Sequence, residues 1–382
     1  MDTPIRALPA PTTEQVFLVS PPVTPPWLNG SVLLARDLAM QGDRYRYRVL
    51  GSTGQTGLPH CAALVEGFYS PGQRGLTRNL RLVARLLRPD GCKIQHFFFA
   101  PHKRASSMAR LTLGLNRKRS VHTLPSLPAE GTDPSSLMFA DRIVVLSESS
   151  AIYLRSAGVE DVRVVRPGIP VPEIPVPKHE LRTRITTSGL VDMEKGPVFL
   201  YAGDLEFSNG AETFAQAAIE TLRETPNATF LFACRPKTPA SMNALSRVKQ
   251  ILNETGAAQH SNFLGVVSDM ETLLGAVDAV VMPVDSLYAK VDMPFVLLQA
   301  MALGTPVIVS DLGPLTELAG LGGGAWVVNQ SDPKATAQAM NELANDEAKS
   351  LRMGRAARST IALNFRPQDM VHRYESIYDE LI

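Results

Sequence analysis

Charged side chains follow apolar runs in the second half of the sequence, where buried strands would end. The cations Arg235 and Lys237 follow "ATFLFAC", and Lys290 precedes another apolar segment. The run "VFLYA" ends in Gly203 and Asp204. Loops at the carboxyl ends of parallel strands meet at one edge of a sheet, where helix N-termini stabilise added negative charge. This pattern predicts an anion site with Arg235 as its strongest ligand, because Arg binds phosphate in a bidentate manner.

Three histidines follow apolar runs in the first half of the sequence. His96 lies near the end of "KIQHFFFAP", His122 lies in "SVHTLPSLP", and His102 follows the first of these runs. Either His96 or His122 could exchange a proton with a bound substrate at the end of its strand. The alternative is that these histidines are structural or solvated, which is the commoner fate of a lone histidine.

These residues must be positioned by alternating strands and helices. Short β-type runs alternate with helical stretches throughout, which is typical of βαβ units and of parallel sheets buried on both faces. A proline-rich segment between residues 167 and 196 separates two sets of strands and predicts a semi-rigid connection without regular structure. We therefore predict an N-terminal Rossmann-like domain at 1–178, a second at 179–364, and a C-terminal amphipathic helix at 365–382 that could cross back onto the first domain.

Length and composition agree with two globular domains. The chain has 382 residues, with 45% hydrophobic and 20% charged residues. No apolar stretch approaches the length of a membrane span, and the first residues, "MDTPIRALPAPTTEQ", lack the features of a signal peptide. A cytoplasmic location is expected. The three cysteines, Cys61, Cys92 and Cys234, are too widely spaced for a metal or redox motif and are expected to be reduced and buried.

The net charge of +1 conceals a strongly basic segment in the first domain. Between residues 74 and 119 a single acid, Asp90, stands against Arg74, Arg78, Arg81, Arg85, Arg88, Lys93, Lys103, Arg104, Arg110, Arg117, Lys118 and Arg119. Such one-sided charge indicates an anionic partner, and "LTRNLRLVARLLR" has the spacing of a helix that lies on lipid headgroups. Nucleic acid is disfavoured because few aromatic residues interleave with the cations. A solvated basic face is the alternative.

Three segments resemble a known family. They are "FADRIVVLSESSAIYLRSAGVEDVRVVRPGIP", "LYAGDLEFSNGAETFAQA" and "LLQAMALGTPVIVSDLGPLTEL". Together they resemble retaining glycosyltransferases of the GT-B fold, the family-four group also called glycosyl transferases group 1. The resemblance covers most of residues 140–382 and implies two facing Rossmann-like domains. It also implies a nucleotide-sugar donor on the second domain and an acceptor on the first.

The resemblance implies roles for particular residues. The loop "SPPVTPPWLNGS" is similar to the family's loop over the donor phosphates, which implies that Asn29 and Gly30 contact the donor. The backbone of Gly265 and Val266 would recognise the base, although Asp269 nearby could simply cap a helix. The remaining implied donor-site residues are Gly203, Gln299, Gly313 and Glu317. Glu317 has an exposed helical position as its alternative.

This sequence also departs from the family pattern. Gln299 replaces the second carboxylate of the family's Glu-x7-Glu motif, and Val291 replaces the first, with Asp292 beside it as a candidate catalytic residue. Asp204 and Asn209 replace the Arg and Lys of the phosphate site. An Asp there would repel a diphosphate, so Arg235, Lys237 and Lys290 are predicted to substitute for the missing pair.

The expected activity is therefore transfer of a sugar, with retention, from a nucleotide-diphosphate sugar to a lipid-linked or other anionic glycan. His96 or His122 would orient the sugar or the acceptor hydroxyl. The nucleotide sugar is a co-substrate, and no cofactor or metal is expected. Peripheral contact with an anionic membrane is expected through residues 74–119. Two alternatives remain open: a non-catalytic GT-B relative that acts as a scaffold, and an enzyme such as an epimerase that turns over its donor without an acceptor.

Overall fold

The computed structural model describes residues 15–27, 29–55, 57–59, 61, 63–70, 75–193, 196–236, 238–288 and 290–382. It divides into two compact units. The first comprises the described residues up to Gly168 together with Arg366–Ile382, and the second comprises Ile169–Phe365. The chain thus leaves the first unit before the predicted boundary at 178 and returns to it at Arg366.

The first unit is built on a parallel sheet, sheet A. Its strands are β1 (Gln15–Val19), β2 (Arg46–Ser52), β3 (Leu64–Tyr69), β4 (Cys92–Phe98), β5 (Arg119–Thr123), β6 (Arg142–Val145) and β7 (Val162–Val164). Four of its helices are α1 (Gly30–Gln41), α2 (Leu76–Leu86), α3 (Lys103–Asn116) and α4 (Glu148–Ser156). Among the described residues the strand order is β3-β2-β1-β4-β5-β6-β7, so sheet growth reverses direction between β1 and β4.

The second unit repeats this plan in sheet B. Its strands are β8 (Val198–Tyr201), β9 (Thr229–Phe232), β10 (Ser261–Phe263), β11 (Ala279–Met282), β12 (Val307–Ser310) and β13 (Ala325–Val328). Its helices are α5 (Lys178–Thr187), α6 (Gly210–Thr221), α7 (Pro239–Glu254), α8 (Met270–Ala276), α9 (Phe295–Ala302), α10 (Gly313–Gly320), α11 (Pro333–Asn345) and α12 (Glu347–Asn364). Within the described residues the order is β10-β9-β8-β11-β12-β13, so the reversal lies between β8 and β11. The predicted pair of Rossmann-like parallel sheets is confirmed.

The apolar runs of the sequence become strands because helices cover both faces of each sheet. All four residues of β8, β11 and β12 are buried, as continuous apolar strands require. None of the helices in the part of the chain that the structure describes is long and apolar enough to cross a membrane.

The C-terminal helix α13 (Pro367–Asp379) packs within the first unit. Its Tyr374 and Tyr378 are fully buried. The Tyr378 hydroxyl lies 2.6 Å from His96 Nδ1, and the Tyr374 hydroxyl lies 3.1 Å from Thr123 Oγ1. The last turns of the chain therefore complete the core of the domain that begins it.

One helix contradicts the sequence prediction for the proline-rich segment. Helix α5 forms inside the proline-rich segment, where we expected no regular structure. It begins directly after Pro177, where proline is tolerated before the first turn. Leu181 is buried on α5, and a Cβ added at Gly275 of α8 would lie 2.6 Å from it. Tertiary packing between these helices therefore stabilises α5.

Candidate functional site

The carboxyl edge of sheet B concentrates polar chemistry at its point of reversal. The chain leaves β8 through Gly203 and Asp204 and leaves β11 towards Asp285. In open parallel sheets, ligands bind outside the carboxyl ends of the strands at the place where the order reverses. The loops after β8 and β11 are therefore the candidate ligand site of the second unit.

Glycines let helix α6 approach the end of β8 closely. A Cβ at Gly203 or at Gly210 would lie 2.8 Å from the Tyr201 hydroxyl oxygen. That hydroxyl donates to the carbonyl of Asp204 at 2.8 Å. Gly203, a predicted donor-site residue, is thus required by packing against Tyr201, and the same packing brings the N-terminus of α6 to the strand end.

Asp204 and Lys290 are brought together at this edge. Lys290 Nζ forms an ion pair with Asp204 Oδ2, and the Lys290 side chain is 9% exposed. Asp204 Oδ1 also accepts hydrogen bonds from the backbone N–H of Glu206 at 3.0 Å and of Phe207 at 2.7 Å. Burial raises the pKa of Asp204, but Lys290 and these two N–H groups outweigh it, so the pKa of the carboxyl is lowered. Lys290 therefore neutralises Asp204, a pairing that the sequence did not predict.

A second carboxylate, which the sequence did not predict, faces the start of α6. Asp285 Oδ2 accepts from Asn209 Nδ2 at 2.6 Å, and Asp285 Oδ1 accepts from the Asn209 backbone N–H at 3.4 Å. Asn209 is the residue directly before α6. Asp285 follows an apolar strand in "AVVMPVD", so the strand-end pattern that identified Asp204 could have found it too.

The loop after β9 holds the remaining predicted cations. Arg235 is half-buried, and no hydrogen bond or ion pair engages it among the residues that the structure describes. Lys237 lies outside the described residues. Further along the loop, the Thr238 hydroxyl donates to the Glu206 carboxylate, which links this loop to the one after β8. Arg235 is thus a cation that remains available to an anionic ligand.

The loop after β10 has the predicted capping residue. Asp269 accepts from the backbone N–H of Thr272 at 3.0 Å and caps α8, as predicted. Gly265 has a φ of +64° with open space around it, a conformation that favours glycine. Val266 is 57% exposed. The exposed Val266 and the open space beside Gly265 leave room for a ligand such as a base.

The predicted residues on or near α9 and α10 range from exposed to buried. Gln299 is exposed on α9, and Asp292, shortly before α9, is 3% exposed. Gly313 is the exposed first residue of α10, and Glu317 on the same helix is half-buried. Pro314 is buried in the first turn of α10, where its missing N–H is tolerated.

In the first unit, Asn29 and Gly30 form a helix start. Asn29 Oδ1 accepts from the backbone N–H of Ser31 at 2.9 Å and caps α1, and Gly30 is the first residue of that helix. Asn29 ends the loop after β1 and Gly30 begins the helix that follows, at the point where the order of sheet A reverses. A ligand could bind at this position, but the contact that the structure shows is the helix cap formed by Asn29.

The two histidine candidates lie in the core, contrary to the prediction that one of them faces a substrate. His96 is fully buried, with Nδ1 against Tyr378 and Nε2 2.7 Å from Thr123 Oγ1. Strand alternation turns its ring towards α13. His122 is also fully buried, with Nε2 3.0 Å from the carbonyl of Phe99. Burial lowers the pKa of His122 to about 4 and lowers that of His96 well below its usual range, so both rings are neutral.

Part of the basic segment is structural. Arg85 is buried and pairs with Glu66 at 2.7 Å and with Asp90 at 2.9 Å. Lys118 Nζ lies 2.6 Å from Asp90. Arg110 donates to backbone carbonyls of residues 136 and 138. Asp90, the single acid of the segment, thus joins Arg85 of α2 to Lys118, the residue directly before β5.

A family match covers the part of the chain that contains the candidate site. Residues 196–346 match the family model "Glycosyl transferases group 1". This segment begins just before β8 and includes every strand of sheet B and the Asp204, Lys290 and Asp285 side chains.

Curated relatives carry related names. The chain is 28% identical to a glycogen synthase of Mycobacterium tuberculosis over 223 residues, which are 58% of this chain and 49% of that protein. It is 27% identical to a D-inositol 3-phosphate glycosyltransferase of Corynebacterium jeikeium over 285 residues, 68% of this chain and 66% of that protein. The chain spans about half the length of the curated relatives it matches first.

Solved structures show the architecture over nearly the whole chain. HepE of Anabaena in complex with UDP and glucose has a TM-score of 0.78 at 17% identity, covering 96% of this chain and all of that one. The fold is GT-B. Sucrose-phosphate synthase of Thermosynechococcus elongatus has a TM-score of 0.75 at 18% identity, covering 96% of this chain and 99% of that one. At these identities the likeness shows the fold, and the sequence matches support a glycosyltransferase.

Proposed function

We propose that this protein is a glycosyltransferase that takes a sugar from a nucleotide-diphosphate sugar bound at the carboxyl edge of sheet B. The observation that carries the proposal is a coincidence of two independent features. The family match at residues 196–346 covers the segment whose sheet reverses between β8 and β11. At that reversal lie the N-terminus of α6 and Lys290, which pairs with Asp204. On the loop after the neighbouring strand β9, Arg235 has no hydrogen bond or ion pair among the described residues. A helix N-terminus and these two cations suit a diphosphate.

The proposed reaction exchanges one bond at the anomeric carbon. The bond from that carbon to the diphosphate oxygen breaks, and a bond to the acceptor oxygen forms on the same face, so the configuration is retained. The proton of the acceptor hydroxyl passes to the departing diphosphate. The leaving group's charge is stabilised by the α6 N-terminus and Arg235, so the proposal requires neither a metal nor a cofactor.

The predicted catalytic residues are buried, which limits the part that they could take in the reaction. His96, His122 and Asp292 are all buried, so none presents an accessible proton-transfer group in this structure. In the proposal the rate enhancement comes chiefly from preorganised charge at the diphosphate. For the base, UDP is the first ligand to test, because the similar HepE structure contains UDP and glucose.

We propose that the acceptor is a lipid-linked or other anionic glycan bound by the first unit. The observation in favour is the combination of cations with exposed leucines on α2 and α3. Leu80 of α2 is 58% exposed, and Leu111 and Leu115 of α3 are 61% and 64% exposed. Exposed leucines beside arginines suit a peripheral contact with anionic lipid headgroups.

The proposal is tested by calorimetric titration of the full chain with UDP, GDP, ADP and their common sugar conjugates. We expect saturable binding of one nucleotide and at least tenfold weaker binding by Arg235→Ala. The matched control is Arg223→Ala, because Arg223 lies just after the opposite end of α6 and pairs with Glu220. Arg223→Ala should bind like the wild type.

The same titrations separate the two alternatives. If no nucleotide binds at millimolar concentration, the enzyme proposal fails and a non-catalytic GT-B scaffold is favoured. If the nucleotide sugar is converted to its epimer without any acceptor, the transferase proposal fails in favour of an epimerase. Once an acceptor is found, the anomeric configuration of the product, measured by NMR, tests retention.

A further inference from the structure

The anion site at the end of β8 is already occupied by a side chain of the protein itself. The Asp204 carboxylate accepts two consecutive backbone N–H groups, from Glu206 and Phe207, and pairs with the ammonium of Lys290. Backbone N–H groups together with a Lys are the donors that phosphate oxygens use in loops between a strand and a helix. Asp204 therefore satisfies the groups that would otherwise bind phosphate.

This arrangement is held in place from several sides. The Tyr201 hydroxyl fixes the Asp204 carbonyl at 2.8 Å. The Lys290 side chain is 9% exposed and the Asp204 side chain 25%, so water screens the pair only partly. Asp285 accepts from the backbone and side chain of Asn209 at the start of α6. Two carboxylates thus face the donors of the β8–α6 loop.

We propose that Asp204 determines the affinity and selectivity of the donor site by competing with the ligand's phosphate for Lys290 and the two backbone N–H groups. This inference rests on the proposed function, since it concerns the same site. A diphosphate must displace the Asp204 carboxylate or bind against its charge. Ligands that make further contacts through a base or a sugar are then favoured over inorganic anions, which have no other contacts to offset this cost.

The experiment compares the wild type with Asp204→Asn by calorimetric titration with inorganic pyrophosphate and with UDP. Asn keeps the size and an acceptor oxygen but removes the charge, so Lys290 is freed. We expect pyrophosphate to bind at least tenfold more tightly to Asp204→Asn than to the wild type. The matched control is Asp269→Asn, which removes the same charge at the N-cap of α8 and should bind like the wild type.

A second measurement needs no ligand and shows whether the ion pair exists as described. Lys290→Met leaves Asp204 partly buried without its cation, so the thermal unfolding midpoint of this variant should be lower than that of the wild type. The double variant Asp204→Asn with Lys290→Met should recover most of the loss. Additive effects of the two substitutions would show that the side chains do not interact and would overturn the proposal.

The outcomes distinguish this inference from the proposed function. Equal pyrophosphate affinity in the wild type and Asp204→Asn overturns the competition by Asp204, whatever the wild type does with nucleotides. A gain in pyrophosphate affinity with no nucleotide binding by either protein supports the self-occupied anion site and removes the donor function. A gain for both ligands, lost again in the variant that also carries Lys290→Met, supports both.

Discussion

Sheets A and B share one topology, but their carboxyl edges differ in chemistry. Among the strands of sheet A, charged residues lie within three positions of the ends of β6 and β7, namely Glu148 and Arg166, and the ends of β4 and β5 have none. In sheet B, by contrast, charged residues lie within three positions of the ends of β8, β9, β11 and β12, namely Asp204, Arg235, Asp285 and Asp311. The same fold thus places an aromatic and histidine core at one edge and a charged site at the other. Topology determines where a ligand could bind, and the residues at the strand ends determine whether chemistry is available there.

The largest expected effect tests whether His96 in sheet A has a structural role. His96→Ala should destabilise the first unit by about 3–5 kcal/mol, because it leaves a cavity and removes the partners of Tyr378 and Thr123. The measurement is urea unfolding followed by Trp27 fluorescence in a Trp326→Phe background, because the two tryptophans lie in different units.

A matched control for that variant is His102→Ala. His102 caps α3 by accepting from the Ala105 N–H at 3.3 Å and is exposed, so its loss should cost at most about 1 kcal/mol. If His96→Ala were as stable as His102→Ala, the buried hydrogen bonds of His96 would not contribute to the stability of the first unit.

The second effect concerns pH and His122. The pKa of His122 is lowered to about 4 in the folded state, so its neutral ring contributes stability above pH 6.5 that is lost as pH falls towards 4. The loss from this residue is about 3 kcal/mol. Burial raises the pKa of Asp37 to about 6 and also raises that of Glu375, and both act in the opposite direction.

The test is therefore a difference between proteins. The stability of the wild type relative to His122→Phe, measured by urea unfolding at pH 7, 5.5 and 4, should fall as pH falls. Asp204 should not contribute over this range, because its pKa is lowered and its contribution disappears only at more acidic pH. A constant difference between wild type and variant would contradict a buried neutral His122.

The third effect tests the exposed surface of the first unit. Replacing Leu111 and Leu115 by Glu should weaken binding to vesicles of phosphatidylglycerol by at least tenfold, because apolar contact is lost and negative charge is added. Leu351 of α12 is 54% exposed in the second unit, and Leu351→Glu is the control. Sedimentation with vesicles measures both, and equal binding would exclude α3 as the contact.

The smallest effect tests the loop after β1. Asn29→Ala removes the cap of α1 and should cost about 1 kcal/mol in the unfolding of the first unit, whereas Asn29→Asp should cost little. If Asn29 also contacts the donor, Asn29→Ala should in addition weaken nucleotide binding in the titration. Loss of stability with unchanged nucleotide affinity would show that Asn29 is only a cap.

The sequence by itself determined the elements that depend on neighbours along the chain. Continuous apolar runs identified the buried strands. Asn29 and Asp269 cap helices because their side chains reach N–H groups two or three residues away. The fold class and the location of the charged strand ends follow from such local patterns.

Tertiary structure alone decided the pairings between distant segments. Tyr378 meets His96 across 282 positions, and Lys290 meets Asp204 although both were predicted as separate features of a phosphate site. Helix α5 exists because Leu181 packs against α8, although prolines surround it. Local spacing does not encode these contacts, because they depend on strand register and on which face of a sheet each helix covers.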